Sequence, residues 1–286
     1  MGDAGSEQGF GARVAAAVAA TGPLCAGVDP SADLLAAWDL ADGAAGVRRF
    51  GLRCVEAFAG VVPVIKPQVA FFERHGSDGV AALESVLAEA RAAGLLVLAD
   101  AKRGDVGTTM EAYADAWLDP RSPLRADAVT ASPYLGLGSI QPMIDLAGAH
   151  GRGVMVVARS SNPEGRRLQT ALVDEGRGPS VEDMMLADIA DLNGGGRVPP
   201  GTVGAVIGAT LAPSAFDVAD LGGVILAPGL GAQGGTDGQV AALFGRCPAG
   251  SVLPSSSRSL LAAGPDLKAL ASAARATRDA MGEALG

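Results

Sequence analysis

The chain has 286 residues, 49% of them hydrophobic and 19% charged, which is enough to bury a large core in one folded unit. Its formal net charge of −9 and isoelectric point near 4.7 argue against nucleic acid or an anionic membrane surface as the main partner, since both repel an acidic protein. An anionic substrate remains open wherever the site is locally basic. Cys25, Cys54 and Cys247 are an odd number without C-x-x-C spacing, so neither a disulfide framework nor a zinc site is indicated, and reduced thiols in a cytoplasmic protein are expected. The start, MGDAGSEQGF, lacks the basic and apolar regions of a signal peptide. No apolar run approaches the roughly 20 residues needed to span a bilayer.

In chain order, Gly11 to Ala20 is Ala-rich and predicts a short helix, broken at Thr21 and Gly22. Pro23 to Val28 reads as a strand that delivers Asp29 at its end. Apolar residues recur at helical spacing from Val47 to Ala59, and Val61 to Ile65 is strand-like, running into Lys66, Pro67 and Gln68. Gly79 to Ala93 predicts a helix closed by Gly94. Leu95 to Ala99 is a buried strand that ends in Asp100, Lys102 and Asp105. Residues two apart on a strand point the same way, so Asp100 and Lys102 share a face and Asp105 follows in the turn.

The alternation then becomes regular. Thr108 to Leu118 predicts a helix, Ala126 to Thr130 a strand, Ser139 to Ala149 a helix, and Gly153 to Ala158 a strand ending in Arg159, Ser160 and Ser161. Asn162 to Ser180 is a long connection, a candidate flap or a plain insertion. Val181 to Leu192 is helical, Val203 to Gly208 a strand, Pro213 to Leu221 a helix, and Gly223 to Ala227 a strand that opens into the glycine-rich PGLGAQGG. Gly238 to Phe244 predicts a helix, Ser251 to Leu253 a short strand before PSSSR, and Asp266 to Leu285 a long closing helix.

Eight β and α units with apolar rather than alternating strands imply a parallel sheet covered by helices and closed into a single (β/α)₈ TIM barrel. A doubly wound sheet would want Gly-x-Gly-x-x-Gly after its first strand, and Val28-Asp29-Pro30-Ser31 is not that. With no linker or clear internal repeat, residues 1–286 are expected to form one domain, with Met1 to Gly9 frayed. In such a barrel the strand ends share one mouth. Read in order they are Asp29, Lys66, Asp100 with Lys102 and Asp105, Ser161, Gln233 and Arg258. A lone Asp-x-Lys is ordinarily a solvated ion pair worth about 0 to 1 kcal/mol; the shared position of these charges is what points to chemistry. The loops after the seventh and eighth strands, with exposed glycine N–H groups, Gln233 and Arg258, suit a phosphate.

The pattern VLADAKRGDVGTTM, with Asp100, Lys102, Asp105, Val106, Gly107 and Thr109, resembles the signature of the orotidine 5′-phosphate decarboxylase family. VIKPQVAFFE, DAKRGD and APGLGAQGG bring it closest to the longer type 2 branch, and the likeness covers Asp29 to Arg258. The resemblance implies decarboxylation of orotidine 5′-phosphate to UMP and CO₂, the last step of pyrimidine nucleotide synthesis, without metal or organic cofactor. It implies that Asp29 and Lys66 hold ribose hydroxyls, that Ser161 (or Ser160, one position away) faces the pyrimidine, and that Gln233 and Arg258 hold the phosphate. It also implies a homodimer in which Asp105 and Thr109 reach into the partner's site. Loss of CO₂ from C6 leaves a carbanion in the ring plane, which no ring π system delocalises, so electrostatic stabilisation and then a proton are needed. Lys102 as an ammonium supplies both, with Asp100 and Asp105 keeping it charged and placed.

Two alternatives use the same residues. A sister group of barrels, 3-keto-L-gulonate 6-phosphate decarboxylase and hexulose phosphate synthase, uses Asp-x-Lys-x-x-Asp with Mg²⁺ on a sugar phosphate, but resembles this chain less around Lys66 and Thr109. A noncatalytic nucleotide-binding barrel would ordinarily have lost one of the charges, all of which are present. His75 and His150 stand apart, with no metal-ligand spacing around them, and read as surface or packing residues.

Overall fold

The computed structural model describes residues 8–194, 200–231 and 234–286. Helix α1 (Phe10–Thr21) leads into β1 (Cys25–Val28), α2 (Ala32–Ala37) and α3 (Ala44–Phe58). Then come β2 (Val64–Pro67), α4 (Ala70–Glu73), α5 (Gly76–Ala92), β3 (Leu96–Arg103) and α6 (Gly107–Leu118). The middle of the chain forms β4 (Ala128–Ala131), α7 (Gln141–Ala149), β5 (Gly153–Arg159), α8 (Pro163–Gln169) and α9 (Val181–Asn193). It closes with β6 (Val203–Ile207), β7 (Ile225–Pro228), α10 (Asp237–Phe244), β8 (Val252–Ser256), α11 (Arg258–Leu261) and α12 (Leu267–Leu285). The strands pair in sequence order, all parallel, and β8 returns to β1 to close a (β/α)₈ barrel.

Strand residues are nearly all buried, and their two-residue period divides the apolar side chains between two shells. Cys25, Val64, Leu98, Ala128, Met155, Leu226 and Leu253 fill the barrel's interior. Ala26, Ile65, Val97, Val129 and Val154 face outward, against the helices. Phe10 and Val14 of α1 belong to the inner shell, so α1 plugs the N-terminal end of the barrel. A Cβ at Gly153 would lie 2.2 Å from the Phe10 ring, which shows how closely the plug is seated. Arg13 fastens it, donating to Asp127 Oδ1 (2.5 Å) and to the Gly151 carbonyl (3.0 Å), while Asp127 Oδ2 accepts from the Val97 amide. With that end shut, the C-terminal mouth is the open one.

One sequence expectation fails. Pro213 to Leu221 is not a helix: only Val218–Asp220 makes a single 3₁₀ turn. Side chains take over the backbone there, with the Phe216 amide donating to Asp183 of α9 and the Ala219 amide to Asp217, and such bonds compete with helix formation. The 162–180 connection contains α8 and a bridge between Leu172 and Ser180. The short helices α2, α4 and α11 were also unforeseen, being too brief to carry a helical period. The frayed start expected at Met1 to Gly9 falls, for residues 1–7, outside the described residues. No helix among the described residues is long and apolar enough to cross a membrane.

Candidate active site

A cavity of about 330 Å³ opens at the C-terminal mouth, and Asp29, Lys66, Asp100, Lys102, Ser161 and Arg258 all line it. Its apolar wall comes from Val157, Val206 and Leu226, on three neighbouring strands. The structure thus brings six of the nine sequence-nominated residues to one space. Gln233 lies outside the described residues. Asp105 and Thr109 do not line this cavity: the Asp105 carboxylate accepts from the Val106 amide, and Thr109 is exposed on the first turn of α6.

Asp100 is the hub. Its Oδ2 accepts from Lys66 Nζ (2.8 Å) and Gln68 Nε2 (3.0 Å), and its Oδ1 from Lys102 Nζ (2.5 Å) and Thr130 Oγ1 (3.0 Å). Burial alone would raise the carboxyl's proton affinity, but the two ammonium groups and their hydrogen bonds outweigh it and hold the group well below the usual carboxylate range. Burial likewise pulls Lys66 down, and the fields of Asp100 and Asp29 reverse this, so Lys66 stays charged. The result is a plus-minus-plus chain, with Lys66 and Asp100 sunk in the wall and the Lys102 side chain about half exposed to the cavity. An Asp100 carboxylate already flanked by two ammonium groups is a poor ligand for a divalent cation. The nearby Cys25 thiol is pushed up to about 12 by burial, which removes it as a nucleophile.

Lys102 reaches the cavity because β3 is irregular. Ala99 pairs with Val129, and pairing resumes only at Arg103 with Ala131, so two extra residues bulge from β3. Lys102 itself takes φ +48°, in the left-handed region. Beyond the bulge, the Arg103 guanidinium lies over the rings of Tyr113 (5.6 Å) and Trp117 (5.9 Å) and pairs with Glu73. These contacts clamp the end of β3 to α6 and α4.

Next to Lys66, at the end of the adjacent strand β1, Asp29 Oδ2 accepts from Ser257 Oγ (2.5 Å), while its buried Oδ1 has no hydrogen-bond partner among the described residues. Gly27 makes this approach possible, since a Cβ there would lie 2.5 Å from that of Ser257. Ser160 and Ser161 both reach the cavity but differ in employment. Gln169 of α8 engages Ser160 twice, accepting from its amide (3.0 Å) and donating to its hydroxyl (2.8 Å). The loop after β7 folds back on itself, with the Gly235 amide donating to the Gly229 carbonyl and Gly229 at φ +113°, which only glycine adopts readily. Pro228, Gly229 and Leu230 of this loop line the cavity together with Arg258, which follows the neighbouring strand β8.

Sequence reasoning missed Thr130, Gln68 and Ser257 as parts of the site. Thr130 reads as the end of an apolar strand, and Ser257 carries no signal of its own within SSSR. Gln68 had a signal, following Lys66 by two residues and so sharing its face.

A family model described as orotidine 5′-phosphate decarboxylase / HUMPS family matches residues 22–273. The chain is 52% identical to an orotidine 5′-phosphate decarboxylase of Salinispora arenicola over 93% of this chain and 95% of that one. Among solved structures, a candidate orotidine 5′-phosphate decarboxylase of Streptomyces avermitilis is 49% identical, with a TM-score of 0.92 over 97% of this chain and 96% of that one. The OMP decarboxylase of Leishmania donovani is 27% identical, with a TM-score of 0.74 over 97% and 99% of the two chains.

Proposed function

The chain belongs to the orotidine 5′-phosphate decarboxylase / HUMPS family and converts orotidine 5′-phosphate to UMP and CO₂ in pyrimidine biosynthesis; we propose that Lys102 delivers the proton that replaces the departing carboxylate. The observation that carries the proposal is the Lys66–Asp100–Lys102 chain lining the cavity, in which Lys102 is by far the most exposed member. The C–C bond at C6 breaks with its electron pair left on carbon, CO₂ departs, and the pair takes a proton from Lys102 Nζ. An ammonium about 4 Å from the developing carbanion contributes roughly 4 kcal/mol at an effective dielectric near 20, and more as the site closes and water leaves.

The other assignments follow from what each group has to offer. The unpartnered Asp29 Oδ1 and the Lys66 ammonium take the ribose hydroxyls, and Ser161 faces the pyrimidine, which lies along the Val157, Val206 and Leu226 wall. Gln233, Arg258 and the backbone after β7 bind the phosphate, whose energy helps order the site around the reacting carbon. The working form is a cytoplasmic homodimer of single-domain subunits, without metal or organic cofactor. Asp105 and Thr109 cross to the partner's cavity, where Asp105 extends the chain of alternating charge; their position outside their own cavity supports this. Turnover of orotidine 5′-phosphate in EDTA by wild-type and Lys102→Ala proteins tests the reading. Wild-type turnover with an inactive, UMP-binding variant is expected, and turnover by the variant would refute the proton-donor role.

A further inference from the structure

We infer that Thr130 is a positioning residue for Lys102, its hydroxyl standing in for the strand partner that the bulge in β3 removes. The inference rests on the reading of Lys102 as proton donor and deepens it. A parallel ladder would satisfy the Lys102 amide by a carbonyl of β4, but the two extra residues between Ala99 and Arg103 carry it out of register. The Lys102 amide is part-buried, and an N–H shielded from water without a partner is disfavoured. Here Thr130 Oγ1 accepts from the Lys102 amide at 2.9 Å.

That acceptance has a second effect. A threonine hydroxyl has one proton, and with a lone pair engaged by the Lys102 amide its proton points to Asp100 Oδ1, 3.0 Å away. The same oxygen receives Lys102 Nζ at 2.5 Å. Thr130 therefore grips Lys102 at both ends, by its backbone directly and by its ammonium through the carboxylate. The grip is needed because Lys102 holds φ +48°, a conformation that a long side chain rarely adopts and that persists only where the surroundings impose it. The three other non-glycine residues with positive φ among those described are Asp39, Asp174 and Glu175, none of which lines the cavity. Thr130 is buried to 1% exposure, and its β-branch limits the side chain to few rotamers, so the hydroxyl is fixed before substrate arrives.

The test compares Thr130→Val, which keeps the shape and loses the hydroxyl, with Thr130→Ser, which keeps the hydroxyl and loses the methyl. Both are assayed for turnover of orotidine 5′-phosphate and for UMP affinity, alongside Lys102→Ala. With the Lys102 amide unsatisfied and Asp100 missing a donor, Thr130→Val is expected to lose about 10- to 100-fold in kcat, with KM and UMP affinity within about threefold of wild type. Thr130→Ser is expected to recover most of that loss. Wild-type kcat in Thr130→Val, or equal losses in the valine and serine variants, would overturn the inference in favour of simple packing. If Lys102→Ala is inactive while Thr130→Val is normal, only this inference fails; turnover by Lys102→Ala would remove the proton-donor reading and the inference with it.

Discussion

Replacing Asp100 with asparagine exposes the electrostatics of the site in the absence of substrate. The change keeps the side chain's shape but leaves the Lys66 ammonium, itself only 6% exposed, without the carboxylate 2.8 Å away. At that separation the direct attraction is about 6 kcal/mol for an effective dielectric near 20, and removing one partner of a buried pair costs about 3 to 5 kcal/mol. The loss has a ceiling, because Lys66 can release its proton: from an ordinary value near 10.5, doing so at pH 7 takes about 5 kcal/mol. The variant is therefore expected to be less stable than wild type by about 3 to 5 kcal/mol at pH 7. The pH dependence carries the sign. In the wild type the folded state raises Lys66 above its ordinary value, so its contribution is fully present below about 10.5 and is lost only as pH rises through the folded value. In the variant, burial dominates and the folded value falls below the ordinary one; the unfolded chain then binds the extra proton, and stability climbs with pH up to about 10.5. Urea unfolding from pH 7 to 9.5, followed by the fluorescence of the buried Trp38 and Trp117, should show the gap between the two proteins narrowing. A gap that stays constant or widens, or one below about 1 kcal/mol at pH 7, would refute the account of Lys66 as a cation held by Asp100.

Three further outcomes are expected. Mixing and reassociating inactive Lys102→Ala and Asp105→Ala subunits should restore activity to about one quarter of the sites, because half of the dimers are mixed and each then has one intact site; no recovery would place Asp105 in its own subunit's site. Arg258→Ala should raise KM for orotidine 5′-phosphate by about 10- to 100-fold, the worth of a charge-assisted hydrogen bond, while leaving turnover of the phosphate-free nucleoside unchanged, and equal loss on both substrates would contradict the phosphate role. Phe10→Ala removes the 1%-exposed plug of the barrel floor and should lower stability by about 3 to 5 kcal/mol with KM unaltered. A stability change under 1 kcal/mol would show that the floor repacks.

Much of the architecture could be read from residue order, because buried parallel strands are short apolar runs and each here hands over to a polar group at the mouth. Asp29, Lys66, Asp100 and Lys102 were visible for that reason: charges directly after buried strands have little structural cause. What sequence did not reveal depends on register and on distant partners. The bulge in β3 leaves no mark in LADAKR, since its two extra residues are as compatible with a straight strand as with a bent one. Thr130 escaped because a β-branched residue ending an apolar strand looks like packing, and its role exists only through the bulge opposite it. The helix expected from Pro213 to Leu221 had adequate apolar spacing but lost its backbone bonds to Asp183 and Asp217, one of them more than 30 residues away. Spacing does not tell Ser160 and Ser161 apart, and the bonds that hold Ser160 come from Gln169, nine residues further along the chain.

The most direct test of the central claim is single-turnover decarboxylation of orotidine 5′-phosphate in EDTA by the wild-type and Lys102→Ala proteins, with CO₂ release and UMP formation both followed. The account predicts stoichiometric UMP and CO₂ from the wild type and neither from the variant, although the variant still binds UMP. UMP formation by Lys102→Ala at a rate near wild type, or wild-type activity that appears only when Mg²⁺ is supplied, would contradict it.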